Sequence, residues 1–373
     1  MAAILDVCCY HGPYPGTFIP SLIAVGDAVR QRLGLEHVLV FPEDVRDRPW
    51  VDLLRGHGYD PLFLPAARSI RGDAAQLAAI AERVDARLIR THFTFFDIPA
   101  ALAGRRRGAR VIWHVHSERQ MSGDVWRQRL KDLVKYRLLG RALCHRLIAV
   151  SDGIGRDVQS RGLQARKVSV VLNGIDVSRF ATLPDRTAER RRLRLLPGEP
   201  VALAFCWLPE LKGAHTVAAA CADAGFVALM VGGPDLEAFL APVPSHVRII
   251  PPEDDPRGLY AAADAFVSAS SSEGMPYSVG EAMAARLPVA SSRIAAAAPY
   301  FGAPGVETFA VRDAVGLAGA LERILQPGSR DQRGEGNRDF VARNLSLERY
   351  VDCILGIFSG ELAQAPRRRR DPA

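Results

Sequence analysis

Two glutamates in the second half of the sequence have the type and spacing to bind a phosphorylated sugar. Glu273 and Glu281 lie in SASSSEGMPYSVGEAMAARLPVASS (268–292), whose pattern predicts a strand, a loop, a helix and a second strand. The start of such a helix offers free backbone N–H groups and a positive dipole end, which suit a phosphate. Two carboxylates beside a phosphate would repel it unless they contact sugar hydroxyls. The pair indicates a nucleotide-sugar site, although spacing alone leaves open a capped helix with two solvated acids.

Three histidines in the first half follow predicted strands. His92 comes after Leu88–Thr91, and RVIWHVHSERQ (110–120) carries His114, His116 and Ser117 around the end of a strand at 111–115. Side chains alternate along a strand, so His114 and His116 are expected to point the same way. His92, His114 and Ser117 are candidates to line an acceptor site, with a structural role as the competing interpretation for the two histidines.

A glycine- and proline-rich loop, YHGPYPGTFIPSL (10–22), follows the first predicted strand and opens a helix. Gly12 and Gly16 would let the backbone approach a ligand closely. Taken alone the loop is a weak signal, since surface turns often have this composition.

The elements that must position these residues alternate between strand and helix. This alternation predicts an α/β protein with parallel, doubly wound sheets. It restarts after a polar stretch at 184–199, so we expect two Rossmann-like domains, with a linker near 178–199 and ligands bound beyond the carboxyl ends of the strands. The expected parts are an N-terminal domain over 1–180, a C-terminal domain over 181–345, a helix over 346–362 and a disordered basic tail over 363–373.

The length, composition and charge of the chain limit the classes of protein to which it can belong. The 373 residues suit two domains, and a composition that is 48% hydrophobic and 24% charged excludes a disordered or fibrous chain. Residues 1–180 carry 27 basic against 18 acidic residues, whereas 181–373 carry 21 against 23. The excess positive charge therefore belongs to the first half. Six cysteines without a CxxC pair, and no visible signal peptide or apolar span, favour a cytoplasmic location.

Several motifs in a fixed order resemble one enzyme family. EGMPYSVGEAMA followed by LPVASS is similar to the donor-site signature of retaining glycosyltransferases of the GT-B fold, and more narrowly of family GT4. The resemblance covers most of the chain: AVSDGIGRDVQSRGLQARKVSVVLNGIDVSRF (149–180), the lysine loop ELKG (210–213), VGGP (231–234) and LYAAADAFVSAS (259–270) also match. It implies two domains facing across a crevice, with the donor held by the second.

The resemblance also assigns roles. Glu273 would contact hydroxyls of the transferred sugar, Glu281 would bind the nucleotide ribose, and Lys212 would stabilise charge on the leaving diphosphate without a metal. His116 would contact the donor sugar at the crevice. The backbone of Gly274, Met275, Pro276, Tyr277 and Ser278 would lie along the donor sugar and diphosphate. The loop with Gly12 and Gly16 would approach the donor phosphates and the acceptor.

The sequence departs from the family pattern in three places. Trp207 stands where the family has an arginine on the diphosphate, and a neutral indole cannot neutralise phosphate. Either another arginine substitutes, with Arg293 as a candidate, or stabilisation of the leaving group is weaker, or the site has changed use. Arg286 replaces a glycine at the end of the signature helix, which predicts strain or a changed turn. Ala295 and Ala296 replace a glycine pair.

The leading hypothesis is a retaining glycosyltransferase that moves a hexosyl or amino-sugar unit from a nucleoside-diphosphate sugar to a hydroxyl of a natural product, polysaccharide or glycolipid precursor. It needs neither metal nor cofactor. Two alternatives stay open because of Trp207: a pseudo-glycosyltransferase that couples cyclitol units, and a non-catalytic nucleotide-sugar-binding subunit.

The basic segment 127–146 has two interpretations. It could dock at an anionic membrane surface, which would make the protein peripheral at the inner membrane face, or it could be a helix with a solvated basic face. Nucleic-acid binding is not expected, because basic and aromatic residues are not interleaved and no known module is present.

Overall fold

The structure is a computed structural model that describes residues 2–65, 69–117, 125–324, 326 and 329–365. The chain divides into two compact units, Met1–Leu172 with Tyr350–Ala373, and Asn173–Arg349. The predicted α/β class is confirmed, since each unit has one parallel sheet with helices. The boundary between the units falls a few residues before the expected one, and most of the predicted tail at 363–373 lies outside the described residues.

The first unit contains, within the described residues, a seven-stranded parallel sheet in the order β3-β2-β1-β4-β5-β6-β7. Its first strand is buried along its whole length, as expected of a strand covered on both faces. The order reverses between β1 and β4, so the loops that follow these strands diverge and leave room for a ligand. The strands are β1 Ala3–Cys8, β2 Glu36–Pro42, β3 Leu62–Leu64, β4 Ala86–His92, β5 Arg110–Val115, β6 Arg146–Ala149 and β7 Val168–Val170.

The second unit repeats this plan with, in its described part, six parallel strands in the order β10-β9-β8-β11-β12-β13. Here the order reverses between β8 and β11, the strands that precede the lysine loop and the two-glutamate signature. The strands are β8 Val201–Phe205, β9 Val227–Val231, β10 Val247–Ile250, β11 Ala265–Ser268, β12 Val289–Ser292 and β13 Val306–Phe309.

Helices connect the strands in both units. In the first they are α1 Phe18–Ala28, α2 Pro49–Gly56, α3 Ile70–Arg83, α4 Asp97–Arg107, α5 Val125–Asp132, α6 Arg141–Leu143 and α7 Asp152–Ser160. In the second they are α8 Arg186–Arg192, α9 Ala214–Ala224, α10 Pro234–Phe239, α11 Arg257–Ala262, α12 Tyr277–Ala284, α13 Ala314–Ile324 and α14 Ser329–Asn344, followed by α15 Leu347–Ala363. Among the described helices, none combines the length and the apolar character needed to cross a bilayer.

The polar stretch that we expected to be a linker contains a packed helix instead. Arg190 of α8 is buried and donates to the carbonyl of Ala262 at 3.0 Å, and Arg186 donates to Asp264 at 2.8 Å. Asp264 also accepts from the Val201 amide at the start of β8, at 3.0 Å. The arginines that gave this stretch its linker-like composition therefore form ion pairs that tie α8 to the sheet.

The C-terminal helix α15 is held to the first unit by a buried acid. Glu361 is 2% exposed and accepts from Arg146 of β6 at 3.1 Å and from Arg110 of β5 at 3.0 Å. Phe358, one turn earlier, lies under the guanidinium of Arg90, 4.9 Å from the ring centroid. This end of the chain thus covers the sheet through one charged cluster and one aromatic contact.

Replacing Glu361 by alanine is expected to loosen this end of the chain. Two arginines would lose a shared carboxylate, and because they are partly exposed we expect a loss of about 2–3 kcal/mol in the free energy of unfolding. Urea unfolding and amide hydrogen exchange of α15 measure the effect. Glu348→Ala, an exposed acid near the start of the same helix, is the control, and equal effects of the two changes would contradict the assignment.

Candidate functional site

Lys212 lies at the switch point of the second sheet, in the loop between β8 and α9. It is only 9% exposed, and its ammonium forms an ion pair with Glu273 from the loop after β11. The ammonium also lies 4.5 Å from the centroid of the Trp207 ring, within range of a cation–π contact. Two residues that the sequence marked for the donor site are thus in direct contact, although they are far apart in the chain.

Gly213 makes this contact geometrically feasible. Its φ is +67°, in the left-handed region, and a Cβ there would lie 2.5 Å from the carbonyl oxygen of Ala269 at the end of β11. The lysine loop therefore packs backbone to backbone against the loop that carries Glu273, which only glycine permits.

Glu273 has a second partner close by. Ser270 donates its hydroxyl to Glu273 Oε1 at 2.7 Å, and Ser292 of β12 donates to the Ser270 carbonyl at 2.6 Å. The carboxylate is therefore oriented from two sides, by a lysine and by a serine. Sequence reasoning missed Ser270, which lies three positions before Glu273 in a run of serines.

The segment from Gly274 to Ser278 is fixed by buried side chains. Tyr300 donates its hydroxyl to the Pro276 carbonyl at 3.0 Å, and the Asn173 side chain donates to the Met275 carbonyl at 3.2 Å. Helix α12 begins at Tyr277, directly after Pro276, so the amides of its first turn lack acceptors within the helix. Gly274 to Pro276 thus form a loop that leads into α12, and Tyr277 and Ser278 are the first residues of that helix.

Glu281 lies in the second turn of α12 and is 7% exposed. It accepts a hydrogen bond from the hydroxyl of Tyr260 at 2.8 Å. Burial, followed by the adjacent carboxylate, raises the pKa of Tyr260 well above its usual value, so the hydroxyl stays protonated and donating. Tyr260, which sequence reasoning did not single out, belongs to the LYAAADAFVSAS motif and orients the second glutamate.

The structure shows the local conformation or contacts at Arg286, at Arg293 and at the Ala295–Ala296 pair, which concern the three departures from the family pattern. Arg286 adopts φ +61°, the left-handed conformation expected of the glycine it replaces, so the turn is kept and an arginine bears the strain. The guanidinium of Arg293 donates to Thr308 Oγ1 of β13 at 3.1 Å, and the side chain is exposed. Ala295 and Ala296 lie in a 3₁₀ segment, Ala295–Tyr300. Whether Arg293 substitutes for the missing arginine stays a prediction.

The glycine loop of the first unit is organised by aromatic side chains. Trp50 donates its indole N–H to the Gly12 carbonyl at 2.9 Å, and a Cβ on Gly12 would lie 2.4 Å from the Tyr10 hydroxyl. Gly16 has φ +51° and is exposed. The local geometry therefore favours glycine at both positions: at Gly12 because a Cβ would displace the Tyr10 ring, and at Gly16 because of its positive φ.

The three predicted histidines form one cluster. His92 and His114 are buried and paired across β4 and β5, and His116 follows half-buried at the end of β5. His92 Nδ1 and His116 Nε2 are 2.9 Å apart, and the rings of His114 and His116 are 4.2 Å apart between centroids, so they point the same way as predicted. Loss of solvation, then the charge of Arg90, lowers the pKa of His92 to about 4. Ser117 is exposed.

These features define a class of protein. The second unit places a lysine, a helix N-terminus and two oriented glutamates along the carboxyl end of a doubly wound sheet, and with the first unit it forms the two-domain α/β fold of GT-B glycosyltransferases. Residues 22–179 match the model for Glycosyltransferase Family 4, and residues 201–327 match that for Glycosyl transferases group 1. The chain belongs to the family 4 glycosyltransferases.

Individual proteins that resemble this chain share only a small part of its sequence. The lipopolysaccharide core biosynthesis glycosyltransferase LpsE of Rhizobium meliloti is 27% identical over 225 residues, which are 58% of this chain and 64% of LpsE, less than two thirds of its length. A glycosyltransferase from Rickettsia africae superposes with a TM-score of 0.82 at 17% identity, over 97% of this chain and 98% of that one. HepE of Anabaena, solved with UDP and glucose, gives 0.79 at 18% identity over 95% and 99%.

A substitution at Gly213 tests whether the lysine loop packs against the backbone at Ala269. Gly213→Ala is expected to displace the lysine loop, because it adds both the left-handed backbone cost of about 1–2 kcal/mol and a clash with the Ala269 carbonyl. Gly198→Ala is the matched control, since Gly198 has φ +81° and no atom within 4 Å of its would-be Cβ. Thermal unfolding should show a larger loss for Gly213→Ala, and equal losses would contradict the packing argument.

Proposed function

We propose that the protein is a retaining glycosyltransferase that moves a hexosyl or amino-sugar unit from a nucleoside-diphosphate sugar to an acceptor hydroxyl, without a metal. The observation that carries this proposal is the ion pair of Lys212 and Glu273 at the switch point of the second sheet, close in sequence to the N-terminus of α12. One cation, one dipole end and two oriented acids match the chemistry of a sugar diphosphate.

In the proposed reaction Lys212 stabilises charge that develops on the leaving diphosphate. Before the donor binds, Lys212 is paired with Glu273, so donor binding exchanges one ion pair for two contacts: the lysine turns to phosphate and the carboxylate to sugar hydroxyls. Ser270 keeps its bond to Glu273 during this exchange and limits the freedom of the carboxylate. Glu281, oriented by Tyr260, binds the ribose.

Retention follows from front-side displacement, in which the departing phosphate oxygen helps to deprotonate the acceptor hydroxyl. The protein then supplies positioning and charge stabilisation, with His116 in contact with the donor sugar. Gly12 and Gly16 allow their loop to approach the donor, while His92, His114 and Ser117 remain candidates for the acceptor side.

Donor and acceptor classes draw on the relatives. HepE was solved with UDP-glucose, so UDP-sugars are the first donors to test. LpsE acts in lipopolysaccharide core biosynthesis by its name, which favours a lipid-linked saccharide as the acceptor. The comparisons do not favour the cyclitol-coupling or the non-catalytic alternative, and Trp207 remains the reason for testing both.

Lys212→Ala and Glu273→Gln are expected to lower kcat by about 10²–10³, because each removes a group that acts on developing charge or on the transferred sugar. The assay uses UDP-, GDP- and dTDP-sugars with saccharide acceptors, and NMR determines the anomeric configuration of the product. Glu210→Ala, an exposed acid in the same loop as Lys212, is the matched control and should keep full activity. An inverted anomer would disprove retention, and donor binding without turnover would support the non-catalytic alternative.

We further propose that the helical segment 125–143 of the first unit contacts an anionic membrane surface. Its inner face contains Tyr136, which is buried, and Lys135, which pairs with Asp97 at 2.7 Å. Several apolar side chains of the segment are exposed: Trp126 70%, Leu138 57%, Leu130 46% and Leu133 41%. Exposed basic residues alternate with them: Arg127, Arg129, Lys131, Arg137 and Arg141.

This mixture of exposed leucine, tryptophan and arginine suits an interface between lipid headgroups and acyl chains. A basic face that is only solvated gives no reason for Leu130, Leu133 and Leu138 to be exposed along one segment. The exposed side chains therefore support the membrane interpretation over the solvated one, and a lipid-linked acceptor would be met at the same surface.

Binding to vesicles tests this surface. The protein should co-sediment with phosphatidylglycerol vesicles, much less with phosphatidylcholine vesicles, and less at high salt because the attraction is partly electrostatic. Leu130→Ser with Leu138→Ser should weaken binding about tenfold or more, whereas Leu196→Ser, an equally exposed leucine of the second unit, should not. Equal loss in both variants, or no binding by the unaltered protein, would refute membrane contact.

A further inference from the structure

We propose that His92, His114 and His116 form a binding site for a transition-metal ion of the Zn²⁺ type. The three rings come from the carboxyl ends of the neighbouring strands β4 and β5, and His92 lies opposite His114 in the parallel register. One nitrogen of each ring lies within 4.8 Å of the other two. The transfer reaction proposed above does not require such an ion, so this site is a separate property of the first unit.

The spacing of the nitrogens suits Zn²⁺. Zinc–imidazole bonds are about 2.0–2.1 Å long, which places the nitrogens of a tetrahedral set roughly 3.3 Å apart. His92 Nδ1 and His116 Nε2 are 2.9 Å apart, and one nitrogen from each of the three rings can be chosen so that all three lie within 4.8 Å of one another. These separations differ from the tetrahedral value by about 1.5 Å at most, so binding an ion requires the rings to move closer together by that amount or less.

An unsatisfied buried ring points to a ligand. His114 is 0% exposed, and among the described residues neither of its ring nitrogens has a hydrogen-bond partner. Buried polar atoms normally have partners, because leaving them unpaired costs stability. A metal ion at the cluster would give one His114 nitrogen the partner that the protein does not supply.

A carboxylate lies behind the cluster on the side away from the proposed ion. His92 Nε2 is 3.8 Å from Asp6 Oδ2, and Asp6 is itself held by Arg90 and by His37, which is 2.8 Å away. Metal-binding histidines commonly donate their second N–H to a carboxylate, which fixes the tautomer that leaves the first nitrogen free for the metal. Asp6 is the carboxylate nearest to His92 Nε2, but at 3.8 Å it is beyond hydrogen-bond distance, so the His92 ring would have to move toward Asp6 to donate to it. The charge of Arg90 is already paired with Asp6, which limits its repulsion of a cation.

The cluster comes nearest to the surface at His116. His116 is half-buried and the neighbouring Ser117 is exposed, so a water would complete the four-coordination of an ion on this side. Phe93 stacks on His116 with 4.6 Å between centroids, and Phe18 packs edge-on at 5.5 Å. These rings restrict His116 and limit the other approaches to its nitrogens.

Metal binding is tested directly with untagged protein. Isothermal titration with ZnCl₂, and visible absorption on adding Co²⁺ as a spectroscopic substitute, should show one ion per chain. His114→Ala and His116→Ala should each weaken binding at least tenfold, while His57→Ala, an exposed histidine outside the cluster, should leave it unchanged. Zinc should also raise the melting temperature of the unaltered protein and not that of the two cluster variants, since only a native-state site stabilises the fold.

Two results would overturn the proposal: no saturable binding by the unaltered protein, or binding that survives both cluster substitutions. Circular dichroism verifies that the variants are folded, and His116→Ala, at a half-buried position after the strand, guards against misfolding of His114→Ala. A further consequence rests on the proposed function: zinc should inhibit transfer by occupying His116. If transfer itself were disproved, the titration would still decide whether the metal site exists.

Discussion

The ion pair between Lys212 and Glu273 is the contact on which the second unit's site depends. It joins the loops after two adjacent parallel strands at the point where strand order reverses, and such loops would otherwise diverge. The pair is feasible because Gly213 lets the two backbones touch, and it is oriented because Ser270 holds the same carboxylate oxygen. A largely buried lysine and glutamate would be costly separately, so each loop holds the other's charged group in place.

The same topology produces a different result in the first unit. Its sheet also reverses order, and polar groups collect at the same edge, but they are histidines backed by Asp6 and Arg90 rather than a lysine and glutamates. Burial keeps the pKa values of these imidazoles below their usual value. The carboxyl end of the first sheet thus carries neutral imidazoles, whereas that of the second carries an oriented lysine and two oriented glutamates. The excess of basic residues over 1–180 did not indicate this difference.

Much of this arrangement could be predicted from the sequence. Long buried strands were found from their apolar runs, and the motif order led to the two glutamates and the lysine. The short edge strands β3 and β13 were missed, because three or four half-buried residues give little pattern. Helix α8 was missed for another reason: the burial of Arg190 depends on Asp264, far along the chain. The meeting of His92 with His114 likewise follows from strand order, which no local pattern contains.

The attachment of α15 has a consequence for the order in which the protein is made. Arg110 and Arg146 belong to strands that leave the ribosome early, yet their shared partner Glu361 is synthesised only after the whole of the second unit. Until then both arginines lack their carboxylate, and Arg90 of the central strand β4 lacks the Phe358 ring that packs on it. The second unit can therefore complete its own contacts first, and closing the first unit requires a contact across some 250 residues of chain. The first unit can therefore complete its fold only after the ribosome has synthesised the whole of the second unit.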